Sequence, residues 1–348
     1  MSKVKNALLA PSTVVGRYTI EKKLANGGFG VVYMATRSDG EKVALKEFLP
    51  SIFQCRIQGK YIHIENENEK TRFKQGLNSF FREADTLAKV HSSRIVPIWD
   101  VFKENGTAYF AMPIERGGTL QTLSRLKKGG LSEWELRHIF VEACKGVEEL
   151  HSQGLLHLDI KPSNLWLRPD MSVVVLDLGA SRWEDEEMKH VHLARTPGFA
   201  APEQHITVKN RAQSPKAYAD ITVKADIYGM TASLLSCLRG KPPMSSPERR
   251  PFHPPIAWGQ MGQASQDLID IINQGMSMSP ALRQSSMKEL RHQLENLPRL
   301  SKSHQKDGLS RVWSFTPPAS SDNASSSQSS YTLWSEKTSE NGSHFVSE

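Results

Sequence analysis

One stretch of eight residues, His157–Asn164, decides how this chain is interpreted: it reads His-Leu-Asp-Ile-Lys-Pro-Ser-Asn. An Asp, a Lys two positions later and an Asn five positions later fit within a single short loop. Such a loop suits phosphoryl transfer, because Asp159 can accept the proton of an attacking hydroxyl, Lys161 can neutralise the moving phosphoryl group and Asn164 can bind a metal ion. An isolated His-x-Asp is more often a capped turn, so the interpretation depends on the neighbouring motifs.

A second acidic residue follows at a spacing that fits the same site. Asp177 lies thirteen residues beyond Asn164, is followed by Leu178 and Gly179, and is preceded by the apolar run Val173–Leu176. The run predicts a buried strand, and a carboxylate at the end of such a strand is well placed to bind a metal ion. Asn164 and Asp177 are therefore the expected metal ligands.

A glycine-rich turn and a lysine-bearing strand occupy the N-terminal part of the chain. The turn reads Asn26-Gly27-Gly28-Phe29-Gly30, and Val43-Ala44-Leu45-Lys46 follows it. Glycine-rich hairpins can lie close to phosphates because no Cβ intervenes and backbone N–H groups point at the anion. A glycine cluster alone is weak evidence, but together with the lysine it predicts a phosphate-binding site.

Taken together, these stretches resemble the protein kinase family, which has an H-R-D-x-x-x-x-N loop, a D-F-G motif and a V-A-I-K strand. The resemblance extends over roughly residues 18–298 and is strongest with the eukaryotic-like serine/threonine kinases of bacteria. Arg195–Glu203 is similar to the family's G-T-x-x-Y-x-A-P-E segment. The sequence departs from the family at Ala25 in the glycine-rich turn, at Leu158 and at Leu178.

The resemblance implies an α+β, bilobal protein-kinase-like fold, with a β-rich N-lobe and a mostly helical C-lobe. The N-lobe would span residues 18–112, the hinge 113–116 and the C-lobe 117–298. Residues 1–17 are expected to form a flexible leader. Residues 299–348 are rich in Ser and lack periodicity, so we expect a disordered tail.

Two long segments do not fit a minimal version of this fold. Glu47–Leu77 contains the polar run Glu65–Lys70, which is typical of an exposed loop, and Ile206–Thr222 is basic. Each is either a solvated insertion or a segment that regulates the protein or docks a partner. The polar stretch Arg182–Arg195 is the expected activation segment.

The resemblance also implies roles for individual residues. Catalysis would involve Asp159, Lys161 and Lys46, with Glu83 on a predicted helix, Phe80–Leu87, as the partner of Lys46. Magnesium, or manganese in its place, would be held by Asn164 and Asp177. The residues expected to contact ATP are Leu24, Ala25, Asn26, Gly27, Gly28, Phe29, Gly30, Val32, Ala44, Lys46, Met112, Glu115 and Trp166.

The resemblance also implies structural positions or contacts for five residues. Trp166 is interpreted as the floor of the adenine pocket, and a simple core Trp is an equally good interpretation. Thr196 would bond Asp159 or Lys161 and shape the substrate groove. Glu203 and Arg283 would form a buried ion pair, and Asp226 would bond the backbone of the catalytic loop.

Composition and charge limit the remaining possibilities. The 348 residues carry a net charge of +7, which suits a nucleotide pocket and acidic partners, and no nucleic-acid motif is present. The three cysteines lie far apart, so neither a disulfide framework nor a structural zinc site is indicated. No signal peptide or membrane span is predicted, which favours the cytoplasm and leaves open a secretion route without a signal peptide.

The expected activity is therefore transfer of the γ-phosphoryl group of ATP to Ser or Thr hydroxyls of protein substrates, with autophosphorylation. Lys161 indicates the serine/threonine class, and Ala201-Pro202-Glu203 favours a protein over a small-molecule substrate. The alternative is a pseudokinase scaffold that binds nucleotide or partner proteins without catalysis. Ala25, Leu158 and Leu178 motivate this alternative.

Overall fold

A computed structural model gives the fold and describes residues 6–27, 30–53, 55–56, 59–127, 130–184, 196–205, 221–249 and 264–298. Its N-terminal part is built around one antiparallel sheet, and its C-terminal part is mostly helical. The sheet contains six strands in the order β1-β2-β3-β4-β6-β5. Their bounds are β1 Val14–Val15, β2 Tyr18–Asn26, β3 Gly30–Arg37, β4 Lys42–Phe48, β5 Asp100–Glu104 and β6 Thr107–Pro113. The expected α+β bilobal fold is thus confirmed.

One long helix, α1 (Glu67–Lys89), packs against this sheet. Phe80 of the helix stacks on Phe110 of β6, with 4.8 Å between ring centroids. Val43 and Leu45 are fully buried, since alternate residues of strand β4 face the same side of the sheet. This packing matters for the site because α1 carries Glu83 and β4 carries Lys46.

The N-terminal leader differs from the expectation. Residues 6–17 pack against the sheet: Leu9 and Val15 are buried, and β1 pairs with β2 through Val15 and Tyr18. The Asn6 side chain bonds backbone groups of the first insertion. The expectation of a flexible leader was wrong for these residues, because a few apolar side chains and one amide secure an otherwise irregular segment. Residues 1–5 lie outside the described part.

The polar run Glu65–Lys70 is also not the exposed loop that was expected. Asn66 caps α1, its side chain accepting bonds from the backbone N–H groups of Asn68 and Glu69, and Glu67 and Glu69 lie in the first turn. An Asn cap and acidic residues at a helix N-terminus both stabilise the helix, which explains why it begins well before Phe80. Upstream of it the insertion is not simply solvated, since Phe53, Cys55, Arg56 and Ile64 are buried.

The C-terminal lobe is organised around helix α3, Glu133–Ser152. The sequence pattern of Ser132 followed three residues later by Glu135 is typical of a capping box, and both reciprocal bonds are formed. One face of the helix is at most 1% exposed; it comprises Leu136, Ile139, Phe140, Ala143, Val147 and Leu150. Most of helix α4, Val223–Arg239, is buried against the same core.

Short elements complete this lobe and position the site. Within the described residues, the other α-helices are α2 Leu120–Leu126, α5 Gln266–Gly275 and α6 Met287–Glu295. The short strands are β7 Gly118–Thr119, β8 Leu155–Leu156, β9 Leu165–Leu167, β10 Val173–Val175 and β11 Arg182–Trp183. β9 pairs with β7 and β10, and β8 pairs with β11. The stretch 157–164, which contains the candidate residues Asp159, Lys161 and Asn164, lies between β8 and β9.

Some expectations fall on residues that the structure does not describe. These are the tail at 299–348, most of the activation segment at 185–195 and the second insertion at 206–220. Within the described ranges, no helix has the length and apolar character that crossing a membrane requires.

Candidate active site

The loop that contains Asp159 is held by a buried carboxylate on α4. Asp226 is 1% exposed and accepts hydrogen bonds from the backbone N–H groups of His157, at 2.8 Å, and Leu158, at 2.7 Å. Leu158 has a φ of 62°, a left-handed conformation that is costly for a bulky residue. Asp226 therefore stabilises a strained backbone directly before Asp159.

Three polar side chains converge on Asp159. Thr196 Oγ1 donates to Asp159 Oδ1 at 2.7 Å, and Lys161 Nζ lies 2.6 Å from Asp159 Oδ2. Lys161 also reaches Thr196 Oγ1 at 3.2 Å. Asn164 Nδ2 donates to the Asp159 backbone carbonyl at 3.0 Å, which fixes the loop across its width. These contacts hold the carboxylate in one orientation beside a cationic group.

Asn164 and Asp177 form the candidate metal site. The backbone N–H of Leu176 donates to the Asn164 carbonyl at 2.8 Å. This bond brings the next residue, Asp177, close to Asn164. The Asp177 side chain is 43% exposed and can accept a ligand. A Cβ on Gly179 would come within 3.2 Å of Asp177 Oδ1, so glycine leaves room at this point. An amide oxygen and a carboxylate are oxygen donors of the kind that magnesium prefers, and the residues fit such an ion.

A buried ion pair joins the sheet to helix α1. Lys46 Nζ lies 2.6 Å from Glu83 Oε1 and 3.7 Å from Asp177 Oδ1. Burial raises the pKa of the Glu83 carboxyl to about 7, although Lys46 acts in the opposite direction. The ammonium group of Lys46 holds the pKa of Asp177 below its ordinary value. Lys46 therefore joins β4 to helix α1 through Glu83, and the N-terminal lobe to the C-terminal lobe through Asp177.

The predicted nucleotide pocket has an apolar ceiling and a tight glycine turn. Leu24 and Ala44 are buried and cluster with Val32 and Met112, which are partly buried. The N–H of Gly27 donates to the carbonyl of Gly30 at 2.8 Å and closes the turn. Ala25 and Asn26 end β2, and Gly28 and Phe29 lie outside the described residues.

A Cβ at Gly30 would come within 2.1 Å of the Glu47 carbonyl oxygen. Glycine is therefore required at Gly30 for β3 to approach β4.

The hinge is anchored to the C-terminal lobe by side chains. Arg168 Nε and Nη2 donate to the two carboxylate oxygens of Glu115 at 2.7 and 2.6 Å. Trp166 Nε1 donates to the Arg116 carbonyl at 2.9 Å, and the Trp166 side chain packs beside Met112. Trp166 is only 2% exposed and packs with Val96 and Val174. Its role as the floor of the adenine pocket stays a prediction.

Glu203 and Arg283 lie together as the resemblance implies. Arg283 Nη1 and Nη2 donate to the two carboxylate oxygens of Glu203 at 2.7 and 2.9 Å, and both side chains are buried. This bidentate pair joins the segment after Thr196 to the end of the C-terminal lobe.

Sequence reasoning missed two residues near the site. Gln204 Nε2 donates to the Leu158 carbonyl at 2.8 Å, while its Oε1 accepts from the Ala201 N–H. His151 Nε2 lies 2.8 Å from Asp226 Oδ2. The position of Gln204 directly after Glu203 was an available signal, whereas nothing in the sequence pattern links His151 to Asp226.

Comparisons with known proteins identify the fold and its relatives. The model of the "Protein kinase domain" family matches residues 18–294. A serine/threonine-protein kinase PknD from Protochlamydia amoebophila is 25% identical over 309 residues, which cover 80% of this chain and 30% of that protein. A probable myosin light chain kinase from Dictyostelium discoideum is 25% identical over 291 residues, covering 80% of this chain and 83% of that protein.

A solved structure supports the same fold. The chain titled "PpkA-294 apo form" superposes with a TM-score of 0.68 at 24% identity, over 82% of this chain and 99% of that one. This chain spans about a third of the length of the Protochlamydia relative, so only its kinase-like part is compared there. With a family match over residues 18–294 and the fold in agreement, this chain belongs to the protein kinase family.

Proposed function

We propose that this chain is a serine/threonine protein kinase that transfers the γ-phosphoryl group of ATP to hydroxyl groups of protein substrates. The observation that carries the proposal is the Asp159 carboxylate, which is held by Thr196 on one oxygen and by Lys161 on the other. A carboxylate fixed in this way can orient a hydroxyl and accept its proton, while an adjacent ammonium group offsets developing negative charge.

The remaining site residues have complementary roles in this proposal. Lys46, paired with Glu83 at 2.6 Å, points an ammonium group into the cleft where it can bind phosphates. Asn164 and Asp177 would hold magnesium or manganese ions. Bound ATP with its metal would supply the phosphoryl group and offset the charge that develops on it. Thr196 keeps Asp159 aligned while a substrate hydroxyl approaches.

Two of the departures from the family motifs, Leu158 and Leu178, pack in the core, and this supports catalysis over a scaffold role. Leu178 is 1% exposed and Leu158 is 3% exposed, and both belong to the large core of the C-terminal lobe. Each fills its position with an apolar side chain and leaves the polar residues of the site in place. We therefore rank the pseudokinase scaffold second, and propose a cytoplasmic location and autophosphorylation as parts of the kinase hypothesis.

The activity can be tested by the identity of the product. Purified full-length chain would be incubated with labelled ATP, magnesium and a Ser/Thr-rich protein acceptor, followed by mass spectrometry of the acceptor. We expect phosphoserine or phosphothreonine, and its loss in Lys46→Met. Lys103→Met is a matched control, because Lys103 is exposed on β5 at the edge of the sheet. Nucleotide binding without any transfer would instead support the scaffold.

A further inference from the structure

The residue directly after Lys46 is a fully buried carboxylate. Glu47 is 0% exposed and pairs with Arg56 of the first insertion, which is also buried. The hydroxyl groups of Tyr33 and Tyr109 donate to the two oxygens of Glu47 at 3.0 and 2.7 Å. Alternate residues of a strand face opposite sides of the sheet, so this cluster lies behind the strand that presents Lys46. Any shift of Glu47 would move the backbone of Lys46.

The N-terminal leader completes this cluster. Asn6 Oδ1 accepts the backbone N–H groups of Cys55, at 2.8 Å, and Arg56, at 3.0 Å, while its Nδ2 donates to the Phe53 carbonyl at 2.8 Å. The N–H of Ala7 donates to the Arg56 carbonyl at 2.8 Å. We call residues 6–9, with the part of the insertion they bind, the N-terminal clamp. The clamp fixes the segment that supplies Arg56 to Glu47.

The same insertion contacts helix α1. Phe53 packs edge-on against Phe73, with ring centroids 6.0 Å apart, and Phe48 lies 5.1 Å from Phe73 and 5.7 Å from Phe80. A Cβ on Gly76 would come within 2.6 Å of the Phe48 ring, so helix and strand approach closely. Glu83 lies one turn beyond Phe80 on this helix. The clamp therefore contacts both elements that carry the Lys46–Glu83 pair.

We propose that the N-terminal clamp is a positioning element for the Lys46–Glu83 pair, with Asn6 and Phe53 as positioning residues. Asn6 acts through Arg56 and Glu47 on the strand, and Phe53 acts through Phe73 on the helix. The family match begins at residue 18, so the clamp residues 6–9 lie upstream of it. The consequence is that activity depends on a segment that the family match does not include.

A purely stabilising clamp would have different consequences. It would lower the melting temperature when weakened, but well below that temperature the folded fraction would bind ATP normally. A positioning clamp instead changes ATP affinity and turnover in protein that remains folded, because Lys46 and Glu83 lose their alignment. The proposal rests on the proposed kinase activity only for turnover, since nucleotide affinity and helix protection can be measured without catalysis.

The test uses full-length Asn6→Ala and Phe53→Leu, with Arg17→Ala as control. Arg17 is a leader residue whose side chain is 54% exposed and pairs with Asp100. For each protein, Kd and KM for ATP, kcat and amide hydrogen exchange of α1 would be measured well below its melting temperature. We expect both variants to weaken ATP binding by about fivefold or more and to speed exchange in α1, with Arg17→Ala unchanged.

Two outcomes would overturn the proposal. In the first, both variants remain folded and bind ATP with wild-type affinity and wild-type exchange in α1. In the second, Arg17→Ala shows the same loss as Asn6→Ala. If Asn6→Ala does not fold, Phe53→Leu alone decides, because it leaves the bonds of Asn6 and Glu47 in place. If the wild type binds ATP but transfers no phosphate, the proposed function fails while the affinity and exchange data still judge the clamp.

Discussion

Removal of Arg283 should destabilise the fold more than removal of any exposed arginine. Its guanidinium makes two bonds to Glu203 and also donates to the carbonyls of Ser277, at 2.9 Å, and Lys224, at 2.8 Å. Arg283→Met would leave the Glu203 carboxylate buried and without its cation. Breaking such a pair costs about 3–5 kcal/mol, because the remaining charge is not solvated.

The prediction can be measured by chemical denaturation of the wild type and variants at pH 7. We expect Arg283→Met to lower the free energy of unfolding by about 3–5 kcal/mol. Arg17→Met is the control: its side chain is 54% exposed, so its pair with Asp100 should contribute less than about 1 kcal/mol. The double variant Arg283→Met/Glu203→Gln should recover part of the loss, since the unpaired charge is then gone.

The reasoning would be refuted by a small effect or by additivity. If Arg283→Met costs no more than Arg17→Met, the pair is not effectively buried in solution. The cost of Glu203→Gln can be compared in the wild type and in Arg283→Met. If it lowers the free energy of unfolding by the same amount in both, the two side chains are not energetically coupled.

Three further predictions concern Leu158, Glu83 and the tail. Leu158 has no charge that would require a phosphate on the activation segment, so phosphatase-treated enzyme should keep its activity; a tenfold fall that ATP preincubation restores would contradict this. The pKa of Glu83 is raised from 4.5 to about 7, so the free energy of unfolding of the wild type, relative to that of Glu83→Gln, should fall as pH rises through this range. A difference in unfolding free energy that does not change with pH would contradict this prediction. Truncation after Ser301 should leave the melting temperature unchanged, since Leu297 is the last core residue in the part of the chain that the structure describes. Mass spectrometry should find autophosphorylation in the intact tail.

The sequence predicted those parts of the molecule that are formed by motifs with a fixed order of residues. The pairing of Lys46 with Glu83 and the contact of Asp159 with Thr196 each join residues 37 positions apart, so they were expected only through the resemblance to the protein kinase family. The capping box at Ser132 was predictable from local chemistry alone, because both of its partners lie within one helical turn.

The parts that were missed have different causes, and one of them depends on a contact between distant segments. Asn6 binds the backbone of residues 53–56, and no periodicity in either segment predicts that contact. The start of α1 was missed because a run of polar residues was taken for a loop, although Asn66 with Glu67 and Glu69 is a recognisable helix start. Trp166 could not be assigned because a pocket floor and a core position both favour a large apolar side chain.

The turnover number of Asp159→Asn and Asp177→Ala on a protein acceptor tests the central claim most directly. Asn retains the size of Asp159 but cannot accept the hydroxyl proton in the same way, and Ala removes a candidate metal ligand. With saturating ATP and folding checked by circular dichroism, we expect each variant to lower kcat by at least about a hundredfold. Near-normal phosphorylation by both variants would contradict the assignment of this site to phosphoryl transfer.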